Sequence, residues 1–241
     1  MEREGDRAKS FEETMMSRAT VIVGIDEAGR GPLAGPVVAA ACHIPLPVFK
    51  RKKSYGAWAP MEKIREDEFL IADSKALTPD QREKAFEWIT QNCFFGIGIA
   101  DNVSIDTKGI LASTEVAMQT ALQMLAEHIT PTYVIIDGRD HFWFDYPHSS
   151  IIRGDDSEPT IAAASIIAKV TRDTMMIEAA KEFPVYGFDG HKGYGSSLHI
   201  EAIKKHGPCA IHRRTFLRNI MPTLSRDSAA SPSMKTTIFR Q

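Results

Sequence analysis

Cysteine is scarce: Cys42, Cys93 and Cys209 are the only three in 241 residues, and they lie far apart. No CxxC pair exists, so neither a zinc site nor a disulfide framework is indicated. Three reduced thiols in a reducing compartment is the simplest reading. Long apolar runs are missing too; none reaches the roughly 18 residues that a bilayer span needs. Met1 to Thr20 is charged and lacks the apolar core of a secretory signal. A cytoplasmic protein without membrane contact is expected. There is no global basic excess either. Formal net charge is -2, so any nucleic-acid site must be a local patch. No internal repeat is present. What remains is ordinary globular composition, 43% hydrophobic and 25% charged, on a chain long enough to bury a real core.

The pattern along the chain alternates strands and helices. Val21 to Ile25 is apolar and β-branched, and it reads as a buried strand ending at Asp26. The Gly/Pro-rich stretch Gly29 to Pro36 joins it to a second strand, Val37 to Ile44. Residues 45–69 hold three prolines and the run Lys50-Arg51-Lys52-Lys53, which predicts a surface loop. Thr78-Pro79-Asp80-Gln81 is a helix start with a capping box, and the helix should reach about Gln91. Phe94 to Ile99 reads as a third strand, 112–128 as an amphipathic helix, Tyr133 to Ile136 as a fourth strand and Ser150 to Arg153 as a fifth. Pro159 precedes a helix near 160–182, whose Ala162, Ala163 and Ala164 would let it pack closely on a sheet. A last helix, Ser197 to His206, ends in Lys204, Lys205 and His206 before Gly207-Pro208. The sum is one α/β domain with a mixed sheet.

Two strands end in an acid, Ile25-Asp26 and Ile136-Asp137, and sites in open α/β sheets form outside strand ends. Asp155 lies between a short apolar run and a helix start. Carboxylates converging from separate segments repel, unless a hard divalent cation sits between them. Mg²⁺ prefers such oxygen ligands, and two ions about 4 Å apart can support phosphodiester hydrolysis. Plainer readings fit two of the segments as well, and Asp26-Glu27 is the harder one to explain away. Asp137-Gly138 suits a turn, and Asp155-Asp156 suits a helix cap. If Glu27 is to serve the same site as Asp26, the strand should break there, because neighbouring strand residues face opposite ways.

Longer motifs carry more. Gly24 through Val38 (GIDEAGRGPLAGPVV) closely resembles the signature of type 2 ribonuclease H. So do Asp73 through Thr78, Ile136-Asp137-Gly138, Gly154-Asp155, and Ile161 through Asp173. His191 through Gly195, His199 and His212 through Phe216 complete the match, which covers about residues 21–220 in the family's order. The resemblance implies a ribonuclease H-like fold, a mixed β-sheet flanked by helices with a small C-terminal helical extension. It implies cleavage of the RNA strand of RNA–DNA hybrids and of single ribonucleotides embedded in duplex DNA, with Mg²⁺ or Mn²⁺, leaving 3′-hydroxyl and 5′-phosphate ends. Asp26, Glu27, Asp137 and Asp155 fall on the family's four catalytic, metal-holding acids. Type 3 relatives usually carry an N-terminal domain and a Glu as fourth acid, so Asp155 and the short lead-in favour type 2.

The same resemblance assigns substrate contacts. The enzyme must detect a 2′-hydroxyl, the group that separates RNA from DNA. Gly29-Arg30-Gly31 suits close backbone approach to a sugar, and Tyr194 is the family's sugar-contacting tyrosine. Ser74, Lys75 and Lys192 align with substrate-binding positions. Residues 191–218 hold six basic residues (Lys192, Lys204, Lys205, Arg213, Arg214, Arg218) against one acid, Glu201, a patch suited to duplex phosphates. Asp156 is a possible helper to Asp155. Gly109 stands where the family commonly has Asn, which puts a substrate or capping contact there in doubt.

The expected organisation is a flexible lead-in over 1–20, a catalytic domain over 21–220 whose helical extension spans about 185–220, and a flexible tail over 221–241. A monomer is expected, with a clamp-type protein partner conceivable through the tail near Met234 to Gln241. Three rivals stand beside the hybrid nuclease: a non-catalytic binding module on the same fold, another two-metal phosphoesterase, and a metal-free ribonuclease using His191, His199, His206 or His212.

Overall fold

A computed structural model describes residues 11, 21–45, 49–51, 58–60 and 71–222. The lead-in and tail predicted for 1–20 and 221–241 lie outside the described residues, apart from Phe11, Met221 and Pro222.

Five strands form one mixed sheet in the order β5-β2-β1-β6-β7. These are β1 (Ile22–Ala28), β2 (Val37–His43), β5 (Phe94–Ala100), β6 (Tyr133–Asp137) and β7 (His148–Ile151). β1 pairs antiparallel with β2, β2 with β5, while β1, β6 and β7 run parallel. The apolar runs of the sequence account for this: Val23, Ile25, Val134 and Ile136 are fully buried, as central strands covered on both faces must be.

Seven helices occur among the described residues: α1 (Pro79–Asn92), α2 (Asn102–Lys108), α3 (Ile110–Ala126), α4 (Gly154–Ser157), α5 (Pro159–Glu182), α6 (Phe188–His191) and α7 (Ser197–His206). α3 covers one face of the sheet, packing Ala117, Met118 and Ala121 on Val23, Ile25 and Val37. α5 covers the other, where Ala162, Ala163 and Ala164 join Ala40 and Cys42 in a second core cluster. The α5 contact is close: a Cβ on Gly24 of β1 would stand 2.3 Å from the backbone of Thr160. The C-terminal helices form a third cluster around Phe188, Ile203 and Leu217, joined by Ala34 and by Met176 and Ala179 of α5.

Several expectations needed correction. β1 does not stop at Asp26 but runs through Glu27 to Ala28, because β2 keeps pairing with it as far as Ala28–Val38. The segment 45–69 is not all loop: β3 (Phe49–Arg51) and β4 (Trp58–Pro60) make a two-stranded antiparallel sheet, and Lys52 and Lys53 fall outside the described residues. The chain before α3 folds into the extra helix α2, capped by Asp101, whose carboxylate accepts from the Ser104 N–H at 2.8 Å. Gly109 separates α2 from α3 with φ 85° and ψ 162°, a backbone state essentially confined to glycine. No side-chain cap bond is made there. Pro159 is the first residue of α5 rather than its predecessor.

Candidate active site

β1 and β6 are parallel neighbours, and their register pairs Ile25 with Ile136. The next residue on each strand is the acid, so Asp26 and Asp137 arrive side by side at the strands' C-terminal ends. The third acid comes from the turn after β7. Arg153 adopts a left-handed conformation (φ 58°), which starts the one-turn helix α4 and seats Asp155 in its first turn. The Gly154 N–H donates to Asp137 Oδ1 at 2.8 Å, tying that turn to β6. Carboxylate oxygens of Asp26, Asp137 and Asp155 lie within 4.8 Å of one another.

Glu27 follows Asp26 within regular strand, so it leaves β1 on the opposite face. Gly24 and Asp26 face α5; Ile25 and Glu27 face the α3 side. Its carboxylate accepts from Arg30 Nη1 at 3.2 Å, and the same nitrogen reaches Asp140 Oδ2 at 2.7 Å. Glu27 therefore borders the three-acid cluster without joining it.

The electrostatics are those of crowded acids. Burial raises the Asp26 pKa well above the usual carboxylate range, and the neighbouring charges of Glu27 and Asp137 add to that. Glu27 is raised by burial, with Arg30 opposing. Asp137 is raised by burial against the N–H groups of Gly154 and Asp155. Asp155 is pushed up to about 6 by burial, then by Asp137 and Asp73. Lys75, the cation that approaches the cluster among the described residues, has its Nζ 3.8 Å from Asp155 and a largely exposed side chain. Such a pair contributes little. An all-oxygen donor set with unmet negative charge fits a hard divalent cation.

Other predicted residues are placed as follows. Ser74 is buried, and its hydroxyl accepts from Ser165 Oγ at 2.8 Å; Ser165 also hydrogen-bonds Asp26. It thus supports the cluster from below. Asp156 turns outward to Arg153 at 2.6 Å, away from the helper role considered for it. Gly29 carries φ 98°, and Tyr194, 46% exposed, has its ring edge 3.8 Å from the position of a Cβ on Gly31. Lys192 is left-handed (φ 51°) and its ammonium donates to the Asp189 carbonyl. Arg213 is fully buried, so it is removed from the predicted surface patch.

Sequence reasoning missed a histidine relay. The Cys209 N–H donates to His212 Nδ1 at 2.9 Å, which places the His212 proton on Nε2. His212 Nε2 then donates to His199 Nε2 at 3.0 Å, and His199 Nδ1 donates to the Tyr194 carbonyl at 2.9 Å. Burial holds both imidazoles neutral, lowering His199 to about 4 and His212 to about 3. Both are fully buried, so they cannot serve as acid and base on a solvent-borne phosphate. The spacing of the histidines alone gave no signal of this chain.

A ribonuclease H-like sheet with acids gathered at its parallel strand ends defines a metal-dependent nuclease. A family model described as Ribonuclease HII matches residues 23–219. The ribonuclease HII of Acetivibrio thermocellus is 46% identical over 202 residues, covering 83% of this chain and 71% of that protein. The crystal structure of ribonuclease H2 from Pyrococcus horikoshii OT3 is 26% identical with a TM-score of 0.60, covering 83% of this chain and 97% of that one. The ribonuclease HII of a PCNA complex from Archaeoglobus fulgidus shares the fold at 20% identity and a TM-score of 0.58, over 92% and 96% of the two chains. The chain belongs to the ribonuclease HII family, and it is a metal-dependent ribonuclease H, an endonuclease acting on the RNA of RNA–DNA hybrids.

Proposed function

We propose that this enzyme cuts both RNA stretches in hybrids and single ribonucleotides embedded in duplex DNA, on the 5′ side of the ribonucleotide, leaving 3′-hydroxyl and 5′-phosphate ends. The observation that carries this reading is the meeting of Asp26, Asp137 and Asp155 within 4.8 Å, three carboxylates with no adequate counter-charge among the described residues. These three, with Glu27 at their border, are assigned as the catalytic acids. Two Mg²⁺ or Mn²⁺ ions bound there would activate a water and stabilise the leaving 3′-oxygen.

The chain's own residues do the rest. Asp26 and Asp137 are fixed by the sheet and Asp155 by the Gly154 bond, so the site is preorganised. Glu27 is kept close by Arg30, whose second partner Asp140 anchors it from β6's exit loop. Gly29 to Gly31 and Tyr194 face each other at the sugar position, one offering backbone, the other an aromatic face and a hydroxyl. Lys75, exposed, and Lys192, half-buried, are cations suited to phosphate, while Ser74 acts through Ser165. Arg214, Lys204, Lys205 and Arg218 supply sequence-independent duplex attraction.

We further assign residues 21–220 as one catalytic unit with its extension at about 185–220, working as a monomer in the cytoplasm. Among the described residues no helix is long and apolar enough to cross a membrane. The PCNA complex of the Archaeoglobus relative supports a sliding-clamp partner, for which the segment Met234 to Gln241 is the candidate. A DNA duplex carrying one ribonucleotide, incubated with Mg²⁺, Mn²⁺ or EDTA, tests the reading. Metal-dependent incision 5′ to the ribonucleotide is expected; a 3′-phosphate or cyclic end, or cutting in EDTA, would overturn it.

A further inference from the structure

Two arginines lie buried beneath the 29–36 loop, and neither forms a salt bridge among the described residues. Arg213 donates from Nη2 to the carbonyls of Gly29 (2.6 Å) and Pro36 (3.1 Å), from Nη1 to Arg30 (3.0 Å) and from Nε to Gly35 (2.9 Å). Arg172, 1% exposed on α5, donates from Nε to Pro36 (3.0 Å) and from Nη2 to Ala34 (3.2 Å). Five carbonyls of one loop therefore turn inward onto two guanidinium groups that share the Pro36 oxygen.

Burying unpaired cations is costly, and the cost is visible. Burial, with Arg172 beside it, lowers Arg213 to about 9, and burial lowers Arg172 as well. Arg172 Nη1 has no hydrogen-bond partner among the described residues. What offsets this cost is the loop itself: apolar groups of similar volume would leave its inward-turned carbonyls without donors.

Its geometric effect is specific. A peptide unit is planar and trans, so a carbonyl aimed inward aims the next residue's N–H outward. The Gly29 and Arg30 carbonyls held by Arg213 thus direct the N–H groups of Arg30 and Gly31 away from the protein. Arg172 fixes the other half of the sugar-facing surface. Its guanidinium carbon lies 5.8 Å from the Tyr194 ring centroid, and Gly29 is seated so tightly on it that a Cβ there would meet Arg172 Nε at 2.0 Å. One side chain therefore touches both the loop and the tyrosine.

We infer that Arg172, with Arg213, is a positioning residue for sugar recognition: the pair sets the Gly29–Gly31 donors and the Tyr194 ring at the spacing that admits a 2′-hydroxyl. This rests on the sugar-reading role proposed above for those residues. The pair touches neither the reacting phosphate nor the acid cluster, so its effect falls on discrimination between ribose and deoxyribose.

The test is a ratio of affinities, which the folded fraction of a preparation does not change. Binding of a DNA duplex with one ribonucleotide and of the same duplex without it is measured in EDTA for wild type, Arg172→Lys, Tyr194→Ala and the double variant. Wild type is expected to favour the ribonucleotide duplex at least about tenfold. Arg172→Lys should bring the ratio to within about twofold of one while leaving affinity for plain DNA unchanged, and the double variant should be no worse than Tyr194→Ala. A wild-type ratio in Arg172→Lys, or additive losses in the double variant, would overturn the inference. If the lysine variant does not fold, nitrogen-15 arginine spectra of the unmodified enzyme decide: the protected Arg172 Nε–H signal should move with the ribonucleotide duplex and not with plain DNA, and an unmoved signal refutes the role. Equal wild-type affinity for both duplexes would instead refute the sugar-reading assignment itself.

Discussion

Asp26 and Asp137 stand one step beyond the Ile25–Ile136 pair on adjacent parallel strands, so the same register that packs the core also brings the two carboxylates together. The fold thus builds electrostatic repulsion into its centre. Replacing either acid by asparagine should lower cleavage about a thousandfold or more, roughly 4 kcal/mol of barrier. Duplex binding should persist. Asp26→Asn should also raise the melting temperature of the metal-free protein. Calorimetry in EDTA checks this, and a lower melting temperature would contradict it.

The Asp155 carboxyl gives a pH signature. Its folded pKa, about 6, lies above the unfolded carboxylate value. A raised acid contributes stability at low pH that is lost as pH climbs through the folded pKa. Metal-free wild type should therefore match Asp155→Asn in stability near pH 4 and fall below it by pH 7.5. The difference between the two melting curves isolates this from the histidines. Divalent-ion affinity should weaken as pH drops below about 6, because the ligands must be ionised to bind.

His199 and His212 titrate in the opposite sense. Their depressed pKa values mean that stability present above the unfolded value, near 6.5, is lost as pH falls toward 4. His199→Leu strands the His212 Nε2 proton and frees the Tyr194 carbonyl. It should cost about 1–3 kcal/mol by chemical denaturation. It should also flatten the acid limb of the wild-type stability profile.

A stability test is available at the start of α1, close in sequence to Lys75. Thr78 accepts from the Gln81 N–H while Gln81 accepts from the Thr78 N–H, a complete capping box on α1. Thr78→Ala should cost about 1 kcal/mol of folding stability. Cleavage rates per folded molecule should not change.

Local signals were the legible ones. The capping box, the α7 helix from Ser197 to His206 and the strands bearing Asp26 and Asp137 could be read because each is decided by neighbouring residues. What escaped depended on distant partners. Glu27 looked as if it needed a strand break, but β2 keeps the strand regular and Arg30 draws the carboxylate back. Arg213 read as a surface charge because nothing nearby in sequence announces that four carbonyls more than 170 residues away converge on it. Asp156 and Asp155 differ only in which way a single helical turn points them.

Helix α5 carries Ser165 under the carboxylates and Arg172 under the sugar loop. Seven residues separate them, about two turns or 10 Å along the axis. On the proposed assignment, one rigid rod acts as a ruler between the acid cluster that would cut and the loop that would judge the nucleotide. A bend or a one-residue slip in that rod would leave both stations intact and mismatch their spacing, giving an enzyme that still holds its metal and still grips its duplex but cuts at the wrong linkage.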